Sequence, residues 1–237
     1  MKIAIVNNSG NVGKSTLCQY MFVPNMPNAE VIRVESINND GDSEGEKLKA
    51  HAFVKIFDKI MGGDEILVDV GSSNIEVFME KMTHEFEGSH MFIDYFLIPL
   101  TPDEKQQIDT INMIVSLIDL GVDSDKIKII FNKTDKKKTL EEQFSILFND
   151  EQLHDLDFTI DKNQPSVSLT EIFKTIAAAG YNYKDISILS MDKLKENLKT
   201  ENDKEEKKKI QLLMFYKMGV DSFNKNLSIV YKYLNLN

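Results

Sequence analysis

The sequence predicts an α/β fold in which helices flank a doubly wound, mostly parallel sheet, with extra helices at the carboxyl end. Apolar runs without a clean alternation of polar and apolar residues are typical of parallel strands that are buried on both faces. Each run is followed by a loop and a longer helical stretch, which is the order of a parallel sheet with crossover helices. A chain of 237 residues, 42% hydrophobic and 28% charged, is long enough to bury one sizeable core.

Six apolar runs are the predicted strands. They are Ile3–Val6, Val31–Val34, Glu65–Val70, Tyr95–Leu100, Ile127–Phe131 and Leu156–Ile160. The predicted helices between them are Lys14–Met21, Glu46–Ile60, Asn74–Glu85, Asp103–Leu120 and Glu141–Phe148. After Pro165 the pattern changes to helix only, with Gly180 as the stop signal of the first of these helices.

A glycine-containing loop separates the first predicted strand from the first predicted helix. It reads Gly10-Asn11-Val12-Gly13-Lys14-Ser15-Thr16. Glycines let backbone N–H groups point into a concave nest, and the helix start adds a partial positive charge, so the segment suits a chain of phosphates. In this pattern Lys14 reaches the β and γ phosphates, Ser15 binds Mg²⁺ and Thr16 contacts the α phosphate. The sequence therefore predicts a P-loop that binds a nucleoside triphosphate with Mg²⁺.

The loop departs from the strict pattern Gly-x-x-x-x-Gly-Lys-[Ser/Thr], because Asn8 stands where the first glycine would be. It resembles more closely the deviant phosphate loop of the ParA/MinD superfamily, Lys-Gly-Gly-x-Gly-Lys-[Ser/Thr]. Ser9 occupies the position of that superfamily's signature lysine, which reaches across a nucleotide-sandwich dimer, and Asn11 replaces the second glycine. The segments Met1–Val6, Asn8–Lys14 and Val34–Asn38 resemble StbB-type plasmid stability proteins.

This resemblance covers about the first 135 residues and implies a role in plasmid stability, partition or conjugation. The superfamily couples the nucleotide state to the positioning of DNA or protein cargo. The implied partners are a nucleotide, a second copy of the chain in a nucleotide-dependent dimer, and a DNA-binding adaptor protein of the same operon. Because fold alone does not determine function, these partners are expectations.

Two acidic residues that end predicted strands are candidates for metal binding and catalysis, together with Lys14. Asp69 resembles the superfamily's aspartate that helps to hold Mg²⁺ through water, and the alternative is an aspartate that caps the next helix. Glu35 corresponds to the first acid of an Asp-x-Asp segment, and the alternative is a structural strand-end acid. The second acid of that segment falls on Ile37, so slow hydrolysis is expected unless Asp40 or Asp42 substitutes.

The base is expected to contact the end of the fifth predicted strand, which finishes in Asn132-Lys133-Thr134-Asp135. In GTPases the aspartate of Asn-Lys-x-Asp recognises guanine. In the ParA/MinD superfamily an asparagine at the same place contacts adenine, so Asn132 fits either base. If Asp135 turns into the pocket it accepts from guanine, whereas an outward Asp135 favours adenine. ATP is the expected nucleotide and GTP is the alternative.

Charge and composition exclude several other classes of protein. A formal net charge of −10 argues against general nucleic-acid binding, because phosphate neutralisation needs accessible lysine and arginine. Local basic clusters occur at residues 136 to 138 and 204 to 209, and the second is interleaved with acids. No apolar run reaches the roughly 18 residues of a membrane span, and Cys18 is the only cysteine, so a cytoplasmic location is expected.

Residues 1–190 are expected to form the nucleotide-binding domain, and residues 191–237 a helical extension that packs on it. Apolar residues between Ile210 and Leu234 form a stripe whose alternative role is contact with a partner or a membrane surface.

Three functions remain open from the sequence. They are a slow P-loop ATPase switch, a degenerate nucleotide-binding module with little hydrolysis, and a small-molecule kinase-like enzyme. Arg33 is the only arginine, which disfavours the arginine-rich lid of a kinase and an arginine finger within the chain.

Overall fold

A parallel sheet of six strands, in the order β2-β3-β1-β4-β5-β6, is the centre of the fold. The computed structural model describes residues 1–34 and 50–236. The strands are β1 Lys2–Ile5, β2 Glu30–Val34, β3 Ile66–Val70, β4 Tyr95–Leu100, β5 Ile127–Thr134 and β6 Val167–Ser168. The strand order reverses at β1, and a doubly wound sheet binds ligands beside the carboxyl ends of the strands at such a point. The predicted fold class is confirmed.

Helices follow most of the strands and also form the carboxyl-terminal part of the chain. They are α1 Lys14–Leu17, α2 Val23–Asn25, α3 Ala50–Gly62, α4 Ile75–Glu80, α5 Glu104–Asp119, α6 Leu140–Gln143, α7 Ser145–Phe148, α8 Glu151–Asp155, α9 Ile172–Ala178, α10 Tyr183–Ser187, α11 Met191–Thr200 and α12 Lys204–Leu234. The π-helical turns Cys18–Phe22 and Lys81–Glu85 extend α1 and α4. Glu35, Ile37, Asp40 and Asp42 lie outside the described residues, so the predictions about them stay predictions.

The core explains why the apolar runs lack alternation. All five residues of β3 are buried, as expected for a strand with cover on both faces. Aromatic side chains fill much of the space beside the sheet: the rings of Phe53 and Phe57 are 4.6 Å apart, and those of Phe131 and Phe144 are 4.5 Å apart.

The predicted strand Leu156–Ile160 is wrong, and the sixth strand is Val167–Ser168 instead. Asp157 has a left-handed backbone with φ of 52°, and the Phe158 N–H donates to the Leu153 carbonyl, so this segment ends α8 rather than extending along the sheet. Phe158 is buried, because its side chain packs as part of the core behind the helix end. The apolar residues that suggested a strand therefore belong to the end of a helix, where they pack into the core.

Contacts divide the chain into two compact units, Met1–Ser168 with Val230–Asn237, and Leu169–Ile229. The predicted boundary after residue 190 stays a prediction. In the second unit, the ring of Phe173 stacks on Tyr183, and Phe223 meets Phe173 edge-on. Phe223 is buried, but Phe215 on the same helix is 74% exposed, so the predicted apolar stripe does not form one buried face. None of the helices in the described ranges combines the length and apolar character needed to cross a membrane.

Candidate functional site

The loop after β1 leads directly into α1, and its backbone requires glycine at position 13. Gly13 has a φ of 94° and is the residue before the first helical residue, Lys14. A Cβ atom on Gly13 would lie 2.3 Å from Nδ2 of Asn132, which is far too close for any contact. Asn11 is also left-handed, with a φ of 60°. These dihedral angles produce the concave backbone that a phosphate nest needs.

Two buried asparagines fix the loop to the sheet. Asn132, on β5, donates from Nδ2 to the Val12 carbonyl at 2.8 Å. Asn7 donates from Nδ2 to the Pro99 carbonyl at 2.9 Å, and its Oδ1 accepts from the Ser9 N–H at 2.7 Å. Because these amides are buried and hydrogen-bonded, they hold the loop in shape before any ligand arrives.

Ser9 is buried, and its hydroxyl group points to α5. Its Oγ donates to the carboxylate of Asp109, which also accepts from Lys105 Nζ at 2.9 Å. Burial raises the pKa of Asp109, but the hydrogen bonds from Ser9 and Lys105 outweigh it and hold the pKa below its ordinary value. The position of the superfamily's signature lysine is therefore occupied by a hydroxyl group that is already bonded within the protein.

Lys14 is buried and folds back over the loop. Its Nζ donates to the carbonyls of Asn7 at 2.9 Å and Ser9 at 2.8 Å. Burial lowers the pKa of Lys14 to about 8, and the nearby carboxylate of Asp69 opposes this shift. An anionic ligand would favour the charged form of this ammonium group more strongly than the two carbonyls do.

Asp69 is buried near the end of β3, level with Ile5 on β1 and Arg33 on β2. Its charge acts on Lys14, as described above, and it adds to the effect of burial in raising the pKa of Cys18 to about 12. Asp69 therefore lies close to the start of α1, as its predicted role in metal binding requires.

A cavity of about 360 Å³ opens over the loop. Its lining consists of Gly10, Asn11, Val12, Gly13, Lys14, Ser15, Thr16, Gly71, Ser72 and Lys133. The described part of the chain thus contributes two lysines and no carboxylate to the wall. The seven loop residues that the sequence predicted as phosphate ligands are brought together around one space.

Asn132 and Asp135 are not part of the described lining of this cavity. Both polar atoms of the Asn132 amide are bonded within the protein, since Oδ1 accepts from the Lys133 N–H at 2.9 Å. The exposed Asp135 accepts from the Lys137 N–H at 2.9 Å, within its own turn. Their contacts with a base stay predictions.

Lys133 and Ser72 line the cavity although the sequence pattern did not predict them as ligands. Each lies inside a motif that was recognised for another residue: Lys133 follows Asn132, and Ser72 lies three residues after Asp69. Both motifs were therefore visible in the sequence, but the linear pattern did not indicate which of their side chains reach the loop.

No protein-family model matches the sequence, and no curated protein sequence matches it significantly. Among solved structures, the chain is similar to a McdA variant from Cyanothece in complex with ATP, with a TM-score of 0.51, 13% identity, and coverage of 100% of this chain and 97% of the other.

Two further similar structures have lower TM-scores. A proposed plasmid partition protein from Borrelia burgdorferi, bound to AMPPNP, has a TM-score of 0.45 and 15% identity, with 91% of this chain and 97% of the other covered. The septum site-determining protein MinD from Pyrococcus horikoshii, complexed with Mg-ADP, has a TM-score of 0.44 and 13% identity, with 92% and 95% covered. With its complete coverage, the likeness to McdA shows the fold: the chain has the same parallel α/β architecture as that protein.

Proposed function

We propose that this protein is a nucleotide-dependent P-loop switch that binds ATP, with GTP as the alternative, and hydrolyses it slowly in the cytoplasm. The observation that carries this proposal is the cavity over residues 10 to 16, with a buried lysine at the first position of α1. Left-handed backbone, a helix start and an ammonium group converge on one space, and that combination suits a polyphosphate.

The shape of the loop supports binding to a preformed site. The Asn7 amide holds the Ser9 N–H and the Asn132 amide holds the Val12 carbonyl, so little backbone ordering remains for the ligand to drive. Lys14 needs only to exchange two neutral carbonyl partners for phosphate oxygens, which are stronger acceptors because they carry charge.

The oxygen donors near α1 fit Mg²⁺. Ser15 places an exposed hydroxyl in the cavity, and the buried carboxylate of Asp69 lies close to Lys14. Mg²⁺ prefers oxygen ligands and takes only one or two from the protein when phosphates and water supply the rest. When bound, the metal would neutralise charge on the phosphates, while Ser15 and Asp69 hold and orient it.

The biological role that we propose is plasmid stability, partition or conjugation, as in StbB-type proteins. In this role the nucleotide state changes affinity for a second copy of the chain or for a DNA-binding adaptor, by differential binding to two conformations.

The bond between Ser9 and Asp109 favours a second candidate, a module that binds nucleotide but barely hydrolyses it. Ser9 brings no positive charge to the phosphates, so charge stabilisation of hydrolysis would depend on fewer groups. Turnover measured with ATP and with GTP, with and without DNA, separates the two. A switch gives slow turnover that responds to a partner, whereas the binding module gives none.

The central test is the variant Lys14→Ala. We expect its affinity for ATP to fall by at least about tenfold, because a charge-assisted hydrogen bond is worth about 1.5–3 kcal/mol. Lys81→Ala is the matched control, since Lys81 is equally buried but pairs with Glu85 away from the loop. Binding is measured by calorimetry, and folding by circular dichroism. Undiminished ATP and GTP affinity in a folded Lys14→Ala protein would contradict the proposal.

A further inference from the structure

We propose that Lys133 is a second cationic residue of the nucleotide site and binds the phosphate chain of the ligand. This inference rests on the function proposed above. It concerns a residue on β5, more than a hundred positions along the chain from the loop, and it assigns the positive charge that Ser9 does not provide.

The position of Lys133 supports this role. The side chain of Lys133 extends over the loop, and its Nζ donates to the Asn11 carbonyl at 2.6 Å. Lys133 lines the same cavity as Lys14 and the rest of the loop. An anion that enters this space meets one ammonium group at the start of α1 and a second at the rim.

The charge of Lys133 also supports this role. Lys105 and Ser9 both donate to the carboxylate of Asp109, so the charge of Lys105 is already paired. The hydrogen-bond partner of Lys133 is a neutral carbonyl, and no carboxylate in the described ranges forms an ion pair with it. Within the described ranges its charge is not neutralised by an ion pair, and phosphate oxygens are the anions for which the loop is suited.

The backbone conformation of Lys133 supports this role as well. Lys133 has a φ of 56°, in the left-handed region that costs a non-glycine residue about 1 kcal/mol or more. The Asn132 side chain holds this conformation by accepting the Lys133 N–H. Glycine would adopt this conformation without strain, so lysine at this position does not stabilise the backbone. What the lysine adds is its side chain, which reaches the loop.

A purely structural role is the alternative, in which Lys133 only fastens the Asn11 carbonyl. The two roles differ in what they predict for ligands with different numbers of phosphates. A residue that binds phosphate loses more affinity for ATP than for AMP when its charge is removed. A residue that only shapes the loop lowers affinity for all of them by a similar factor.

The experiment compares Lys133→Gln with wild type, using ATP, ADP, AMP and inorganic tripolyphosphate as probes in calorimetry. We expect a loss of about tenfold for ATP and for tripolyphosphate, a smaller loss for ADP and the smallest for AMP. Lys136→Gln is the matched control, because Lys136 is exposed three positions further along the chain but lies outside the described lining of the cavity. Its affinities should equal those of wild type.

Lys133→Gly separates binding from folding. It relieves the left-handed strain, so we expect the melting temperature to stay the same or rise while ATP affinity falls. Equal losses for ATP and AMP, unchanged tripolyphosphate binding, or a joint fall of stability and affinity in Lys133→Gly would each overturn this inference. If Lys14→Ala abolishes binding and Lys133→Gln does not, only this inference fails. If wild type binds neither ATP nor tripolyphosphate, the proposed function fails.

Discussion

Substitution of Gly13 by alanine tests the loop geometry without any ligand. The new Cβ would lie 2.3 Å from Asn132 Nδ2, where ordinary contacts begin at 3.4 Å, so the amide must move by about an ångström. That movement breaks the 2.8 Å bond to the Val12 carbonyl, at a cost of about 1–3 kcal/mol. The left-handed φ of 94° adds about 1–2 kcal/mol for a residue with a Cβ. We therefore expect Gly13→Ala to lower the free energy of unfolding by about 3 kcal/mol.

Gly121→Ala is the control for the destabilisation that a left-handed backbone alone causes. Gly121 has nearly the same φ, 96°, but its Cβ would meet nothing closer than His90 Nε2 at 3.6 Å. This variant should lose only the left-handed penalty of about 1–2 kcal/mol.

A double-mutant cycle isolates the clash. Asn132→Ala removes both atoms that lie within 4 Å of the new Cβ, so in that background Gly13→Ala should cost no more than Gly121→Ala. The coupling energy between positions 13 and 132 is then about 1–2 kcal/mol. Urea unfolding followed by circular dichroism measures all four proteins. Additive effects at the two positions, or equal losses in Gly13→Ala and Gly121→Ala, would refute the geometry of the loop.

Two further predictions concern the metal site and the end of α12. We expect Asp69→Asn to reduce Mg²⁺-dependent turnover more than it weakens nucleotide affinity, and equal losses in both quantities would argue against a metal role. The Tyr233 hydroxyl and the Asn163 N–H donate to Asp161 and hold its pKa below the ordinary value. A carboxyl group with a lowered pKa stabilises the fold above its unfolded pKa and loses that effect as the pH falls through its folded pKa. Tyr233→Phe should therefore lower the urea midpoint at neutral pH, by a difference that shrinks as the pH falls below about 4. A difference that stays constant down to pH 2 would contradict this assignment.

The linear pattern was sufficient for the fold class and for the path of the chain from β1 through the loop into α1, because both depend on local order along the chain. A strand that is buried on both faces must be apolar throughout, as Ile66–Val70 is apart from Asp69, and this composition can be recognised without knowing its neighbours. The sequence from Gly10 to Thr16 follows β1 directly and begins α1, so its own backbone forms most of the cavity.

Local pattern failed where an apolar run had two possible uses. Leu156–Ile160 has the composition of a strand, yet Asp157 turns the chain and Phe158 packs behind α8. The two-residue strand Val167–Ser168 has too little length for any periodicity. Whether an apolar residue completes a sheet or closes a helix depends on which neighbouring surface is left to cover.

By itself, the sequence determined that this protein is a parallel α/β chain with a glycine-containing loop between its first strand and its first helix, since burial and helix initiation are encoded by neighbouring residues. Only the tertiary structure decided the partners of the loop. Ser9 bonds to Asp109, and Lys133 and Asn132 reach the loop from β5, across about a hundred positions or more of chain in each case. Such contacts depend on how distant elements approach in space, because side-chain direction and reach are set by packing and not by spacing along the chain.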